Sequence, residues 1–290
     1  MQELGFVGQL APFFLKRVFN IELRERISTS PLKQLLRAGA LPAKRAVSKI
    51  LGESAFVEMQ VCKSCFFVQS RHPFSDDALT RHYSDFRTDS YNAERIRYEP
   101  TYRAIAHRNG VDPIEVKNRV TVATEWLADK LDIKGDFTML DYGGADGRFL
   151  PTLPARKFVY DISTLPPFEG VTRISHESDL GQYSYVHIAH VLEHVVDPLK
   201  LTASVVEHVE SGGYLYVEVP QEMSDAELEA LNNGTYKWNI SIHEHINRYS
   251  LSSATRLLEK VGLKVVAARA DDVDLGWAQG VHVRVLGRKV

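Results

Sequence analysis

The stretch Leu140-Asp141-Tyr142-Gly143-Gly144-Ala145-Asp146-Gly147 decides the fold. It continues a short apolar run that begins at residue 137 and is typical of a β-strand, and a short helical segment follows it. Glycines let the backbone turn sharply and let a ligand approach the main chain. Asp161 ends the next predicted strand, twenty residues after Asp141, where a carboxylate can bind ribose hydroxyls. The loop and the acid together predict a ribose-containing ligand.

Around this loop, apolar strands alternate with amphipathic helices. One helix is indicated by Val116, Val120, Ala123 and Leu127, which are spaced by three or four residues. The predicted strands are 137–142, 157–161, 171–174, 185–190, 214–220, 263–266 and 281–285. This alternation predicts an α/β fold, a Rossmann-like, doubly wound and mostly parallel seven-stranded sheet. Ligands of such sheets bind beyond the carboxyl ends of the strands.

The region before the sheet has a different character. Gly110 and Pro113 mark a boundary, so residues 1–112 are predicted to form a mainly helical accessory region and residues 113–290 the sheet domain. Residues 10–50 contain nine Lys or Arg and two Glu. A basic amphipathic segment of this kind can lie on a membrane surface, peripheral to the inner membrane. A solvated helical cap or an oligomer contact explains the same pattern.

Composition limits the possible partners. The chain has 290 residues, 44% hydrophobic residues and a formal net charge of −2, which is ordinary for a globular protein and argues against nucleic acid as a partner. A signal peptide and a membrane-spanning run are not apparent. The two cysteines, Cys62 and Cys65, do not form a secreted disulfide framework. We therefore expect a cytoplasmic protein.

The loop resembles the acid-x-Gly-x-Gly-x-Gly pattern of class I S-adenosylmethionine-dependent methyltransferases. The four marked positions are occupied by Asp141, Gly143, Ala145 and Gly147, with alanine in place of the middle glycine. The resemblance extends to residues 190–198, which are similar to the family's Leu-Glu-His-Val segment after strand four. It also includes residues 212–220, which are similar to its strand-five signature. In total it spans residues 137–290 and implies S-adenosylmethionine as the cofactor.

The resemblance also implies which residues hold that cofactor. It places Gly143, Gly144 and Asp146 along the methionine and ribose portions, and Asp161 on the ribose hydroxyls. The remaining implied contacts are Ile162 against adenine, Ser178 and Asp179 at the adenine edge, and His190 near the sulfonium. A nicotinamide dinucleotide fold is the rival, but it prefers a Gly-x-Gly-x-x-Gly spacing and a helix start that binds pyrophosphate. Acidic residues near the loop suit a sulfonium cation better than phosphates. A glycine turn without a ligand is the simplest alternative.

Histidines are the candidates for acid–base chemistry. An alcohol that accepts a methyl group needs a base, and histidine is poised near neutral pH. His194 follows strand four and His245 follows strand five, so both are expected at one rim of the sheet. By resemblance to sugar C-methyltransferases, Glu244 and His245 would form an acid–base pair. Surface or supporting roles are expected for His243, and His187 alternates with apolar residues as a structural side chain does.

Metal binding is not expected. Glu193, His194, Glu244 and His245 could gather around an ion, but the spacings of dedicated metal sites are missing. Sugar C-methyltransferases carry a zinc element with two cysteine pairs, whereas this chain has only Cys62 and Cys65. His72 and His82 could complete four ligands, yet their spacing favours a metal-free remnant.

Residues 83–103 are rich in tyrosine and arginine and could fold over the pocket, where aromatic faces pack on sugars and arginines bind phosphates. Ordinary packing of the accessory region explains the same composition. The sequence therefore predicts O-methylation of a sugar hydroxyl in a nucleotide sugar or surface polysaccharide, with His194 or His245 as the base. The alternatives are a sugar C-methyltransferase, a small-molecule O- or N-methyltransferase of quinone or natural-product type, and a non-catalytic cofactor-binding module.

Overall fold

The computed structural model describes residues 6–19, 56–70, 74–132, 135–163, 165–236, 240–242 and 244–290. Most of the basic segment, together with His72 and His243, lies outside the described residues. The chain divides into two compact units. The first unit comprises Met1–Ala106 and Ser224–Arg248, and the second comprises His107–Met223 and Tyr249–Val290.

The first unit combines helices with a five-stranded sheet. Its helices are α1 (Pro12–Phe19), α2 (Asp76–Tyr83), α3 (Asp89–Tyr98) and α6 (Asp225–Asn232), and a short 3-10 helix spans Pro100–Ala104. Its strands are β1 (Phe6–Leu10), β2 (Phe56–Val61), β3 (Val68–Ser70), β9 (Ile240–Ile242) and β10 (Asn247–Arg248), in the order β10-β3-β2-β1-β9. The strands β1 and β2 lie in the stretch that the sequence predicted as helical. β1 obtains its hydrogen-bonding partners from β2 and β9, which are both distant in the chain, and local periodicity does not reveal such pairing.

An aromatic cluster fills the first unit. The ring of Phe13 on α1 lies 5.1 Å from that of Tyr91 on α3 and 5.6 Å from that of His82 on α2. The side chain of Thr88 caps α3 by accepting a hydrogen bond from the Tyr91 N–H, and Ser75 caps α2 in the same way. These contacts bury Tyr91, which belongs to the stretch 83–103 that could fold over the pocket according to the sequence.

The second unit contains the predicted seven-stranded sheet. Its strands are β4 (Thr138–Tyr142), β5 (Arg156–Tyr160), β6 (Val171–Ile174), β7 (Tyr183–Ala189), β8 (Val209–Pro220), β11 (Lys264–Asp274) and β12 (Gln279–Arg288). Their order is β11-β12-β8-β7-β4-β5-β6; the two pairings of β12, with β11 and with β8, are antiparallel, and the other pairings are parallel. Its α-helices are α4 (Pro113–Leu127), α5 (Pro198–Val206) and α7 (Leu251–Lys260). The Rossmann-like fold class predicted from the sequence is therefore confirmed.

Burial explains why β4 and β7 lie in the middle of this sheet. All five residues of β4 are buried, as is nearly every residue of β7. Trp126 and Leu127 of α4 pack on this sheet together with Met139, Tyr185 and Tyr216. Buried strands of a parallel sheet are continuously apolar for this reason. The ends of β4, β7 and β8 thus form a fixed edge for a site.

The domain boundary predicted at residue 112 remains a prediction. The observed division into two compact units shows in addition that one later segment belongs with the N-terminal residues. Residues 224–248, predicted as part of the sheet domain, belong to the first unit because β9 pairs with β1 and β10 pairs with β3. His194 consequently lies in the second unit, and Glu244 and His245 lie in the first. Among the described residues, no helix is long and apolar enough to cross a membrane.

Candidate active site

The loop after β4 has the backbone that its glycines predict. Gly143 and Gly147 adopt φ values of 74° and 84°, a region that favours glycine. A Cβ atom on Gly143 would lie 2.6 Å from the Val191 side chain, and one on Gly144 would lie 2.0 Å from the Asp141 carboxyl carbon. Side chains at these positions would collide with their neighbours, so the main chain stays open to a ligand.

Asp161 joins this loop to the end of β5. Its carboxylate accepts hydrogen bonds from the N–H groups of Ala145 and Ser163, at 2.9 and 2.7 Å. Ala145 has φ +55°, so the alanine that replaces a glycine occupies a left-handed conformation and is held there by Asp161. Each carboxylate oxygen retains a second lone pair, which ribose hydroxyls can use. Ile162 beside it is 50% exposed and offers an open apolar face to a base.

Asp141 provides a test of the fit between the loop and S-adenosylmethionine. Its carboxylate is buried and accepts no hydrogen bond from the described residues. Burial, followed by the nearby Asp161 carboxylate, raises the pKa of Asp141 to about 8. A buried acceptor without a donor suits a ligand that brings its own N–H groups, such as the ammonium of a methionine moiety. The residues present therefore fit the cofactor.

Other predicted cofactor residues have contacts of their own. Arg148 donates from Nε to both carboxylate oxygens of Asp146, at 2.8 and 3.0 Å. Ser178 and Asp179 are exposed on the 3-10 helix that precedes β7. Arg173, which the sequence did not indicate, donates hydrogen bonds to the backbone carbonyls of Ala145 and Ser163. The roles of Asp146, Ser178 and Asp179 toward the cofactor remain predictions.

The turn after β7 carries two of the predicted histidines. Val191, next to His190, packs at the Gly143 end of the cofactor loop. The Nε2 atom of His194 lies 3.9 Å from Oε1 of Glu193, and Nδ1 of His190 lies 3.4 Å from the same oxygen. The Glu193 side chain is only 1% exposed. One buried carboxylate therefore has an imidazole on each side.

Glu244 and His245 belong to the first unit. The Glu244 carboxylate is buried, pairs with Arg95 and accepts a hydrogen bond from the Tyr91 hydroxyl at 3.2 Å. Arg95 also pairs with Glu99 and stacks on the Tyr102 ring, with 3.9 Å between the guanidinium carbon and the ring centre. These contacts account for the burial of Glu244 without a catalytic role for it. The shared rim of His194 and His245, and the acid–base role of Glu244, remain predictions.

A buried group around Glu218 was not predicted. Glu218 on β8 accepts hydrogen bonds from Arg119 Nε and Arg284 Nε, at 2.9 and 3.0 Å, and from the Tyr216 hydroxyl at 2.7 Å. The Nδ1 atom of His282 lies 3.2 Å from Glu218 Oε1. A glutamate within the apolar run 214–219 is the one signal in the sequence that could have indicated this cluster. Apart from Tyr216 on the same strand, its partners Arg119, His282 and Arg284 come from distant elements and carry no local signature.

His187 and the cysteine pair lie as structural side chains would. His187 is buried and stacks on Tyr216, with ring centres 4.6 Å apart, and burial lowers its pKa to about 3. Cys62 and Cys65 are free thiols on the turn between β2 and β3. Burial raises the pKa of Cys62, but hydrogen bonds from Ser64 and Cys65 outweigh it and bring the pKa to about 7. Whether this pair is metal-free remains a prediction.

Comparison with known proteins identifies the class. The model of the family described as "Methyltransferase domain" matches residues 103–268, more than half of the chain. The chain belongs to this family and is an S-adenosylmethionine-dependent methyltransferase of class I. S-adenosylmethionine is its cofactor and supplies the methyl group from its sulfonium.

Solved structures are similar in fold. The 1,6-didemethyltoxoflavin-N1-methyltransferase of Burkholderia thailandensis, with bound S-adenosylhomocysteine, is 13% identical, covers 78% of this chain and 96% of its own, and has a TM-score of 0.49. Magnesium protoporphyrin IX methyltransferase of Synechocystis PCC 6803 is 13% identical, with coverage of 74% and 100% and a TM-score of 0.45. A methyltransferase of Aquifex aeolicus is 16% identical, with coverage of 62% and 94% and a TM-score of 0.42. No curated protein matches the sequence.

Proposed function

We propose that the enzyme O-methylates a sugar hydroxyl of a nucleotide sugar or a surface polysaccharide, with a histidine as general base. The observation that carries this proposal is the pair formed by Glu193 and His194, whose Oε1 and Nε2 atoms lie 3.9 Å apart on the turn after β7. The same turn contacts the cofactor loop through Val191 and Gly143. An imidazole beside a buried carboxylate, next to a methyl donor, is suited to deprotonating an alcohol.

The chemistry requires one proton acceptor. When the S–methyl bond breaks and the O–methyl bond forms, the hydroxyl loses a proton, which a neutral imidazole of His194 can accept. The Glu193 carboxylate would then stabilise the imidazolium, as the acid of a catalytic triad does. The distance of 3.9 Å is longer than a hydrogen bond, and such contacts often tighten when substrate is bound. His245, with Glu244 as its partner, is the second candidate base.

Two features support a sugar acceptor. The first is the resemblance of the segment that contains His245 to sugar methyltransferases. The second is the arginine-rich part of the first unit, where Arg97 and Arg103 remain exposed and can bind phosphate. Arg95 and Tyr91 do not support it, because both are buried within that unit.

A panel of acceptors tests this function. Purified protein would be incubated with radiolabelled S-adenosylmethionine and nucleoside diphosphate sugars, with quinols and amines as the alternative acceptors. We expect an O-methyl product from a sugar, with one proton released for each methyl group transferred, and at least about a 100-fold loss of kcat in His194→Asn if it is the base. Product on carbon, with zinc in the protein, would favour the C-methyltransferase instead. Rates equal to that of the wild type in both His194→Asn and His245→Asn would contradict a histidine general base.

Contact with a membrane surface and self-association remain proposals. The basic segment that motivates them lies mostly outside the described residues. Flotation with vesicles containing anionic phospholipid would show membrane association through this segment. Unchanged sedimentation of the protein in the presence of such vesicles would contradict it.

A further inference from the structure

The strand β6 contacts the cofactor loop from the end of the sheet. β6 is the last strand in the sheet order and pairs with β5. A Cβ atom on Gly147 would lie 2.9 Å from the side chain of Val171, the first residue of β6. Arg173 is two residues further along the strand, so its side chain leaves the same face of the sheet. β6 therefore presents both an apolar side chain and an arginine to the loop.

Arg173 joins the two segments that the cofactor is expected to contact. Its Nη2 group donates a hydrogen bond to the backbone carbonyl of Ala145, in the loop after β4. Its Nη1 group donates to the backbone carbonyls of Asp161 and Ser163, at 3.4 and 3.2 Å, in the turn after β5. A guanidinium has five N–H groups in a planar fork and can donate to several acceptors at once. One side chain thus connects the two turns.

Ala145 is the loop residue that most needs such support. Its φ is +55°, and alanine has a free-energy cost in this left-handed region that glycine avoids. Its N–H donates to the Asp161 carboxylate at 2.9 Å, and its carbonyl accepts the hydrogen bond from Arg173. The carbonyl of the next residue, Asp146, accepts a hydrogen bond of 2.8 Å from the Phe168 N–H. The left-handed turn is therefore held from the side of β5 and β6.

We propose that Arg173 is a positioning residue for the cofactor, which holds the left-handed turn at Ala145 against the turn of Asp161 before the cofactor binds. The apparent affinity of a ligand falls with the fraction of the protein that is in the binding-competent conformation, so a preformed loop binds more tightly. The inference uses the expected position of the ribose at Asp161. It does not depend on the identity of the methyl acceptor.

A purely structural role of Arg173 is the rival explanation. The side chain is partly buried, and its hydrogen bonds to three carbonyls stabilise these turns with or without a ligand. The two roles differ in what they imply for binding. A structural role lowers the free energy of unfolding and leaves the affinity of the folded protein unchanged. A positioning role lowers the affinity of protein that is fully folded.

Calorimetry with S-adenosylhomocysteine distinguishes the two roles, in protein whose folding is checked by urea denaturation. Arg173→Met removes all three hydrogen bonds. We expect its dissociation constant to rise about tenfold, as it does when the competent conformation falls to about a tenth of the population. Arg173→Lys keeps the charge, but an ammonium lacks the planar fork, so we expect a rise of about threefold. Unchanged affinity in both variants would overturn the proposal.

Arg156→Met is the matched control for these measurements. Arg156 begins the neighbouring strand β5, at the end opposite to Asp161. Its side chain is 62% exposed and pairs with the exposed Asp136. We expect the dissociation constant of this variant to change by less than about twofold, because an exposed ion pair contributes little and lies away from the loop. A rise equal to that in Arg173→Met would overturn a specific role of Arg173.

A double-mutant cycle with Ala145→Gly shows whether Arg173 acts through the left-handed turn. Glycine adopts a positive φ readily, so a loop with glycine needs less support. We expect Arg173→Met to raise the dissociation constant about tenfold beside Ala145 and only about threefold in Ala145→Gly. Equal losses in the two backgrounds would overturn the proposal.

If Arg173→Met does not fold, Arg173→Lys takes its place in the cycle. We then expect a rise of about threefold beside Ala145 and of less than about twofold in Ala145→Gly, and equal rises would again overturn the proposal. No methyl acceptor enters these measurements. Failure of the proposed sugar methylation would therefore leave their outcome unchanged.

Discussion

Glu244 in the first unit and Glu218 in the second are both buried carboxylates held by arginine, but their other partners differ. Glu244 is surrounded by Arg95, Tyr91 and an aromatic cluster. Glu218 borders two histidines at the end of a strand beside the cofactor loop. The same ion pair therefore supports packing in one unit and arranges titratable groups in the other. The partners beyond the arginine indicate which role a buried carboxylate has.

Glu218→Ala is expected to break the second network most severely. It leaves Arg119 and Arg284 buried without their shared carboxylate, and the loss of one partner of a buried ion pair costs about 3–5 kcal/mol. The free energy of unfolding from urea denaturation measures this loss. The exposed Glu207→Ala is the control and should change stability by less than about 0.5 kcal/mol. Equal stability of the two variants would contradict the network.

Gly144→Ala is expected to separate cofactor binding from stability in the second unit. A Cβ atom there would lie 2.0 Å from the Asp141 carboxyl carbon, so the loop must shift. We expect the affinity for S-adenosylhomocysteine to fall about 100-fold, or about 2.7 kcal/mol, in calorimetry. Gly181→Ala is the matched control, because nothing lies within 4 Å of a Cβ atom at that position. Undiminished affinity in Gly144→Ala would show that the loop does not contact the cofactor.

Glu244→Gln tests the first network. The substitution keeps an acceptor for Tyr91 and leaves Arg95 paired with Glu99, so we expect the unfolding free energy to fall by about 2 kcal/mol. Methyl transfer should change by less than about fivefold, which is far below the effect of losing an acid–base group. A loss of kcat of about 100-fold with unchanged stability would establish Glu244 as the acid–base partner that its sequence motif predicts.

Asp141→Asn is expected to change the pH dependence of stability. With a folded pKa of about 8, Asp141 retains in the folded state a proton that the unfolded chain releases near pH 4. The free energy of unfolding should then decrease as pH rises from about 4 to about 8, by up to about 1.4 kcal/mol per pH unit. Urea denaturation at several pH values, without cofactor, should give a flatter profile in Asp141→Asn. An identical profile would mean that Asp141 is ionised in the folded protein.

The cofactor-binding half of the site could be predicted from the sequence because the residues that indicate it lie close together in the chain. The loop glycines and Asp161 are separated by few residues, and the strand before the loop, Thr138–Tyr142, is short and mostly apolar. The cluster of Glu218 was not accessible, because Arg119 comes from a helix 99 residues away and His282 from an antiparallel strand. Residues that pair across such distances in the chain produce no periodic pattern of residue types in the sequence.

The two short strands of the first unit illustrate the same limit. β1 lies in the region that was predicted to be mainly helical, and its pairing with β2 spans about fifty residues. Likewise, nothing in residues 224–248 indicates that β9 and β10 complete another sheet. Tertiary contacts of this kind outweigh local preference in short segments.

Residues 224–248 belong to the first unit although they follow residues 107–223 of the second unit in the chain. This arrangement has a consequence for evolution and for engineering. Because the chain crosses between the units after residues 106, 223 and 248, the first unit is encoded in two separated pieces. A single recombination event cannot exchange it intact for that of a relative. Any change of specificity that depends on this unit would have to arise by substitution in place, or by a coordinated exchange of both pieces.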